Sequence, residues 1–173
     1  MAAAIIAVFP AGRRVGIVRR QLDTLTDHSL LDRADEPVAF LADVLDKLAA
    51  IIRPSDRIAM TAVPWTAHLS SSRLLTGVVS RALLLGALVN DPLTKWSPLL
   101  VTPAAFDQLG QGTLAGYPAA LIGPREQPWS ARGRLWVCRA AWDLAGAALD
   151  HQPASGVIDG VIDTARLREE VSA

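Results

Sequence analysis

The acidic residues and the histidine of the C-terminal helical pattern are the first candidates for chemistry. Asp143 and Asp150 are seven residues apart, so they share one face of a helix, and His151 is adjacent to Asp150. Together with a loop residue, such a set would hold a single cation. The alternative for Asp143 is an acid at the edge of an amphipathic helix, either solvated or paired with Arg139 four residues earlier.

Three other patterns favour structural roles. His68 with Ser70 to Ser72 lacks a marked orienting acid and oxyanion hole, so the serines are expected to cap a helix. Cys138 is the single cysteine, which excludes an intramolecular disulfide, and its apolar setting is typical of a buried side chain. The glycines at 110, 112 and 116 lack the lysine of a phosphate-binding loop.

The arginines indicate a candidate phosphate-binding surface. One group lies in the N-terminal hairpin pattern, and a second group lies near the start of the last helix, with Trp129 and Trp136 interleaved. Arginine and aromatic side chains together suit phosphates and unstacked bases. The alternative is that the arginines solubilise an apolar protein while the tryptophans fill its core. The predicted nucleic-acid-binding residues are Arg13, Arg14, Arg19, Arg20, Arg132, Arg134 and Arg139.

Composition limits the class of protein. The chain has 173 residues, 51% of them hydrophobic, and a formal net charge of zero. This length suits one domain with a full core, and a neutral total gives no overall field to attract nucleic acid. Because there is no long charge-free apolar run and no basic leader, we expect a cytoplasmic protein without a membrane partner.

The hydrophobic pattern predicts an α/β protein with a mixed sheet. Pro10 to Arg13 marks a turn between two strands, and apolar spacings of three and four residues mark the helices. Strands are predicted at Ala4–Phe9, Val15–Arg19, Ser29–Leu31, Arg57–Val63 and Pro98–Thr102, and helices near Pro37–Ile52, Ser72–Asn90, Ala104–Leu109 and 135–150. We expect one domain over residues 1–151 and a C-terminal tail over 152–173, whose charged segment, Thr164 to Glu170, has the composition of a short helix.

This element order and several strings resemble the RuvC family of Holliday-junction resolvases, which have an RNase H-like fold. The string Ile5 to Val18 is similar to the family's opening hairpin, in which an apolar strand runs into Asp-Pro-Gly and a glycine-containing second strand. Arg57 to Val63 resembles the strand that carries a catalytic glutamate, and Ser72 to Asn90 resembles the long helix that follows it. Ala140 to His151 is similar to the final helix, and Asp143 fits its last acidic position.

The resemblance implies a nuclease centre that this sequence lacks in part. Phe9 stands where the family has its first aspartate, and Thr61 is nearest to the position of the glutamate. Two-metal hydrolysis of a phosphodiester needs several carboxylates, and of the implied set only Asp143 remains as a catalytic candidate. We therefore expect no cofactor, with Mg²⁺ or Mn²⁺ relevant only if nuclease activity is retained.

Three functional hypotheses follow from these residues. The first is a RuvC-like protein that binds branched or structured DNA without cutting it, in recombination, repair or packaging, as a homodimer or hetero-oligomer. The second is a structural or protein-interaction module on an RNase H-like scaffold, with Trp65 or Trp96 and the Gly/Pro-rich segment 103–128 as its binding face. The third is an active metal-dependent junction endonuclease that uses displaced acids such as Asp23, Asp56 or Asp107.

Overall fold

A mixed β-sheet forms the centre of the chain. The computed structural model describes residues 3–11, 14–32, 37–61, 98–101, 116–122, 135–150, 157–158 and 161–163. The elements are β1 (Ile5–Ala11), β2 (Arg14–Gln21), β3 (Thr24–Asp32), α1 (Pro37–Ile51), β4 (Arg57–Thr61), β5 (Leu99–Val101), a 3-10 helix (Ala119–Leu121), α2 (Trp136–Asp150), β6 (Val157–Ile158) and β7 (Val161–Asp163).

The strand order in the sheet is β3-β2-β1-β4-β5-β7-β6. Strands β1, β2 and β3 are consecutive antiparallel neighbours, whereas β4 runs parallel to β1, and β5 runs parallel to β4. The predicted α/β class with a mixed sheet is thereby confirmed. The helices predicted at Ser72–Asn90 and Ala104–Leu109 lie outside the described residues.

The two faces of β1 contribute to two different apolar clusters, because successive side chains of a strand point to opposite sides. Ile5, Ala7 and Phe9 pack in the cluster that includes α2. Ile6 and Val8 pack in the cluster that includes α1. A strand covered on both faces has a continuous apolar sequence, which explains the run from Ile5 to Phe9.

Helix α2 lies unusually close to β2 because glycine and alanine line its approach to the sheet. A Cβ at Gly16 would collide with the carbonyl group of Val137 and would stand 2.7 Å from the backbone nitrogen of Cys138. The buried residues of α2 include five alanines and Gly146. This close approach needs a residue without a side chain at position 16.

A buried ion pair joins β2 to the start of β4. Arg19 donates from Nε to Asp56 Oδ2 at 2.9 Å and from Nη2 to Asp56 Oδ1 at 3.0 Å, and the two side chains are only 6% and 1% exposed. The Asp56 carboxylate also accepts the backbone N–H groups of Ala4 and Arg53. The donors to this carboxylate therefore come from β2, from the residue before β1 and from the turn after α1.

The hydrogen bonds to Asp56 determine its protonation. Burial alone would raise the pKa of Asp56, but the hydrogen bond from Arg19, those from Arg53 and Ala4, and the charge of Arg19 outweigh burial and lower it. The carboxylate therefore stays ionised beside the guanidinium.

Part of the expected C-terminal tail belongs to the sheet. Strand β7 pairs antiparallel with β5, and β6 pairs with β7. The sequence carries a signal for this hairpin, because Asp159-Gly160 lies between two β-branched pairs. The segment Thr164 to Glu170 lies outside the described residues.

Substituting Asp56 with Ala is expected to destabilise the fold by about 3–5 kcal/mol, because it leaves the Arg19 guanidinium buried without its counter-charge. The matched control is Asp32→Ala, which removes an exposed partner 3.4 Å from Arg14 and is expected to cost under about 1 kcal/mol. Urea unfolding of both variants measures the difference. Equal losses of stability would show that the buried pair is no more important than the exposed one.

Candidate functional site

The positions expected to carry nuclease acids lie at the carboxyl ends of two parallel strands. Val8 pairs with Met60, which places Phe9 and Thr61 next to each other in the register. The Phe9 ring meets the Trp136 ring edge-on, with the centroids 5.5 Å apart and an interplanar angle of 77°. Thr61 is buried, and its hydroxyl has no hydrogen-bond partner among the described residues. At the carboxyl ends of β1 and β4, the two positions where the RuvC resemblance implies carboxylates hold a phenyl ring and a hydroxyl group.

Asp143 does not lie with those two positions. It follows Trp136 by seven residues, which is about 10 Å further along the axis of α2. Its Oδ2 accepts a 2.6 Å hydrogen bond from the Tyr117 hydroxyl. Within the described part of the chain, no three His, Cys, Asp or Glu side chains are grouped as metal ligands would be.

The carboxyl group of Asp143 is held in an unusual electrostatic environment. Burial raises its pKa to about 6, against the lowering effects of the Tyr117 hydrogen bond and of the charges of Arg20 and Arg139. Burial and the bond to Asp143 likewise raise the pKa of Tyr117. The pair therefore keeps the tyrosine proton, while the carboxyl group changes charge close to neutral pH.

Arg139 has a partner outside its own helix. Its Nη1 donates to the carbonyl oxygen of Leu121 at 3.0 Å, and the residue is buried. Asp143 accepts a hydrogen bond from Tyr117, and the charge of Arg139 also lowers the pKa of this carboxyl group. Two contacts thus connect α2 to the segment 116–122, one through Arg139 and one through Asp143.

Arg20 is seated against α2. Its guanidinium carbon lies 3.9 Å from the centroid of the Trp142 ring, and Nη1 donates to the Trp142 carbonyl oxygen at 3.1 Å. Nε donates to the carbonyl oxygen of Leu22 at 2.7 Å, and Nη2 lies 3.4 Å from Asp23. A Cβ at Gly146 would stand 2.7 Å from Arg20 Nη1, so the glycine leaves the space that the guanidinium occupies.

The described arginines that were predicted to form one surface lie at opposite ends of the sheet or in its interior. Arg14 pairs with Ala11 at the carboxyl end of β1, and its side chain is 42% exposed beside Asp32. Arg20 pairs with Ile5 at the opposite end. Arg19 is buried on Asp56 and Arg139 is buried on Leu121, so neither guanidinium faces solvent. The remaining three predicted residues, Arg13, Arg132 and Arg134, lie outside the described residues.

Two of the other candidate residues, Cys138 and Asp150, lie within the described part of the chain. Cys138 is fully buried and lies 3.5 Å from the Ser29 carbonyl oxygen, which confirms the expectation of an interior side chain. Asp150 is exposed at the end of α2. The remaining candidates lie outside the described residues: Trp65, His68, Ser70 to Ser72, Trp96, Asp107, Trp129 and His151.

Tyr117 was not among the residues predicted from sequence. It lies in a Gly-Tyr-Pro string within a region rich in glycine and proline, 26 residues before Asp143. No periodic pattern connects the two positions. The bond between them depends on how the chain returns to α2.

No family model matches the chain, and no curated protein or solved structure is significantly similar to it. The resemblance to the RuvC family therefore stays a prediction. Among the described residues, no helix has both the length and the apolar character needed to cross a membrane.

The Asp143→Asn variant tests the buried carboxyl group. In the folded chain Asp143 keeps its proton up to about pH 6, but in the unfolded chain only to about pH 4. Folding therefore takes up a proton between these values, and this stabilising contribution is lost as the pH rises through about 6. Asparagine stays neutral and still accepts the Tyr117 hydrogen bond.

The free energy of unfolding of Asp143→Asn, relative to the unsubstituted protein, is expected to rise between pH 4.5 and 7.5 by on the order of 1 kcal/mol, a value reduced for partial exposure. Thermal unfolding at both pH values measures it. Asp150→Asn, which removes an exposed carboxyl group of the same helix, is the matched control, and an equal change in it would show that the effect is not specific to the buried position. A pH-independent difference for Asp143→Asn would contradict the assignment.

Proposed function

We propose that the chain is a RuvC-like domain of RNase H-like fold that has lost the hydrolytic metal centre and acts by binding branched or structured DNA. The observation that carries the proposal is the juxtaposition of Phe9, Thr61 and Trp136 at the carboxyl ends of β1 and β4. Among the described residues, an antiparallel meander, α1, the parallel strands β4 and β5, and α2 follow one another in the order that the RuvC resemblance implies. The long helix that the resemblance implies after β4 lies outside these residues, and β6 and β7 follow α2.

The chemistry of that edge supports the absence of hydrolysis. Two-metal catalysis needs carboxylates that bind both cations, and a phenyl ring and a buried hydroxyl supply no charge. Asp143 lies further along α2 than Trp136 and is hydrogen-bonded to Tyr117. It therefore does not complete a set of metal ligands with positions 9 and 61. Bound Mg²⁺ or Mn²⁺ would have a role only in the alternative of an active endonuclease.

The position of Arg14 supports DNA as the ligand. Arg14 lies at the end of the sheet where Phe9 meets Trp136, at the start of α2. In the sequence, Arg13 precedes Arg14, and Arg132 and Arg134 come just before Leu135. An exposed arginine at this end of the sheet would bind phosphates of the DNA backbone.

A second candidate function is a protein-interaction module in a homo- or hetero-oligomer. The observation in its favour is that Arg19, Arg20 and Arg139 all donate hydrogen bonds within the chain. Arg14 also lies 3.4 Å from Asp32, so each of the four predicted DNA-binding arginines that the structure describes has a partner within the chain. In that case, other residues on the same scaffold would form the face that binds a protein partner.

Titration of the purified chain against a labelled four-way junction and a matched linear duplex distinguishes these functions. We expect tighter binding to the junction at low salt, weaker binding at higher salt, and uncut strands with Mg²⁺ or Mn²⁺ present. No binding to either DNA at low salt, together with a stable oligomer, would favour the interaction module. Metal-dependent cleavage would establish the endonuclease.

Arg14→Gln locates the DNA surface. The variant is expected to weaken junction binding a few-fold and to reduce the slope of log affinity against log salt by about 1, the value for one phosphate contact. The matched control is Arg53→Gln, which removes one exposed charge near the start of β4, at the other end of the sheet. Equal effects of the two variants would show that DNA does not bind specifically at the end of the sheet where Arg14 lies.

A further inference from the structure

A cleft opens at the end of the sheet opposite to Phe9 and Trp136. Its volume is about 640 Å³, and its lining includes Arg20, Thr24, Leu25, Tyr117, Pro118 and Trp142. This volume lies within the range of small-molecule sites. Because Arg20 pairs with Ile5 whereas Phe9 pairs with Gly16, the cleft is separate from the edge assigned above to DNA.

The guanidinium of Arg20 is positioned before any ligand binds. The Trp142 ring supports one face of it, and the carbonyl oxygens of Trp142 and Leu22 accept two of its N–H groups. Its side chain is only 16% exposed. A cation held in this way loses little conformational freedom when it binds an anion.

The third contact of Arg20 is weak enough to be replaced. Nη2 lies 3.4 Å from Asp23 Oδ1, and the Asp23 side chain is fully exposed. A long ion pair in solvent contributes little to stability. The carboxylate of Asp23 therefore occupies the place that the carboxylate or phosphate group of a ligand would take.

The turn that carries Asp23 is itself strained. Leu22 has a φ of 53°, in the left-handed region, and its side chain is 66% exposed. A leucine in this region costs about 1–2 kcal/mol relative to ordinary backbone. The conformation directs the Leu22 carbonyl oxygen to Arg20 Nε, so the strained backbone contributes to holding the guanidinium.

Apart from Asp23 and Thr24, apolar and aromatic side chains form most of the rest of the lining. Tyr117, Pro118, Leu25 and Trp142 surround the space next to Arg20. Flat rings pack well against such surfaces, while the charged group stays at the guanidinium. We propose that this cleft binds a small organic anion, a carboxylate or phosphate monoester carried on an aromatic ring, with Arg20 bound to the anionic group.

Isothermal titration calorimetry of the full chain tests the proposal with phenyl phosphate and benzoate as probes. Inorganic phosphate and phenol are the controls that lack the ring and the charge. We expect at least one aromatic anion to bind, and both controls to bind about tenfold more weakly or not at all. If neither aromatic anion binds, or if phenol binds as tightly, the proposal is overturned.

Two variants test the role of Arg20 in different ways. Arg20→Gln removes the charge and is expected to weaken binding about 10–100-fold. Gly146→Ala keeps the charge but places a methyl group 2.7 Å from Arg20 Nη1, which is too close for a contact. The variant should therefore displace the guanidinium and also weaken binding. Because the displaced atom is at the far end of a flexible side chain, Gly146→Ala should still fold, which circular dichroism checks.

Arg14→Gln is the matched control, since it removes an arginine at the other end of β2 and should leave anion binding unchanged. Undiminished binding by both Arg20→Gln and Gly146→Ala would exclude Arg20 as the anion ligand. The test is independent of the proposed DNA function, because junction binding should persist in Arg20→Gln if the DNA surface lies at the Phe9 end. Loss of one activity without the other identifies which proposal has failed.

Discussion

The Asp56 carboxylate accepts hydrogen bonds from three separate parts of the chain, and the alignment of the sheet depends on it. Arg19 approaches from β2, Ala4 from the residue before β1 and Arg53 from the turn after α1. Because an ionised carboxylate without these donors would be costly to bury, the interaction favours one register of β4 against β1. That register brings Phe9 and Thr61 together at the far end of both strands.

The packing of α2 divides the molecule into two ends with different chemistry. Gly16 lets the helix backbone approach β2, and Gly146 leaves room for the Arg20 guanidinium between helix and strand. At the end where α2 begins, Phe9 and Trp136 form an apolar contact. At the other end, Arg20, Tyr117 and Trp142 line a partly polar cleft, and Asp143 accepts a hydrogen bond from Tyr117. Helix α2 thus packs through small residues on one face of the sheet, and candidate functional residues lie at both of its ends.

Much of the secondary structure could be predicted because its pattern is local. The helix predicted near Pro37–Ile52 from its apolar spacing is α1, and the predicted strand at Arg57 begins where β4 begins. Strand β3 proved longer than predicted, since its alternating polar residues lie at the sheet edge and give a weak apolar signal. The hairpin of β6 and β7 carried an Asp-Gly signal, but strands of two and three residues become stable only when β5 is available as a partner.

The sequence by itself determined the mixed α/β class of the fold and the absence of acids at Phe9 and Thr61, because these follow from residue type and short-range periodicity. Only the tertiary structure decided which charges are available. Arg19 and Arg20 are neighbours in the sequence, yet one is enclosed by Asp56 and the other lies on Trp142. Tyr117 reaches Asp143 across 26 residues. Such contacts depend on how distant segments pack, since a side chain's charge and solvation are set by its neighbours in space rather than in sequence.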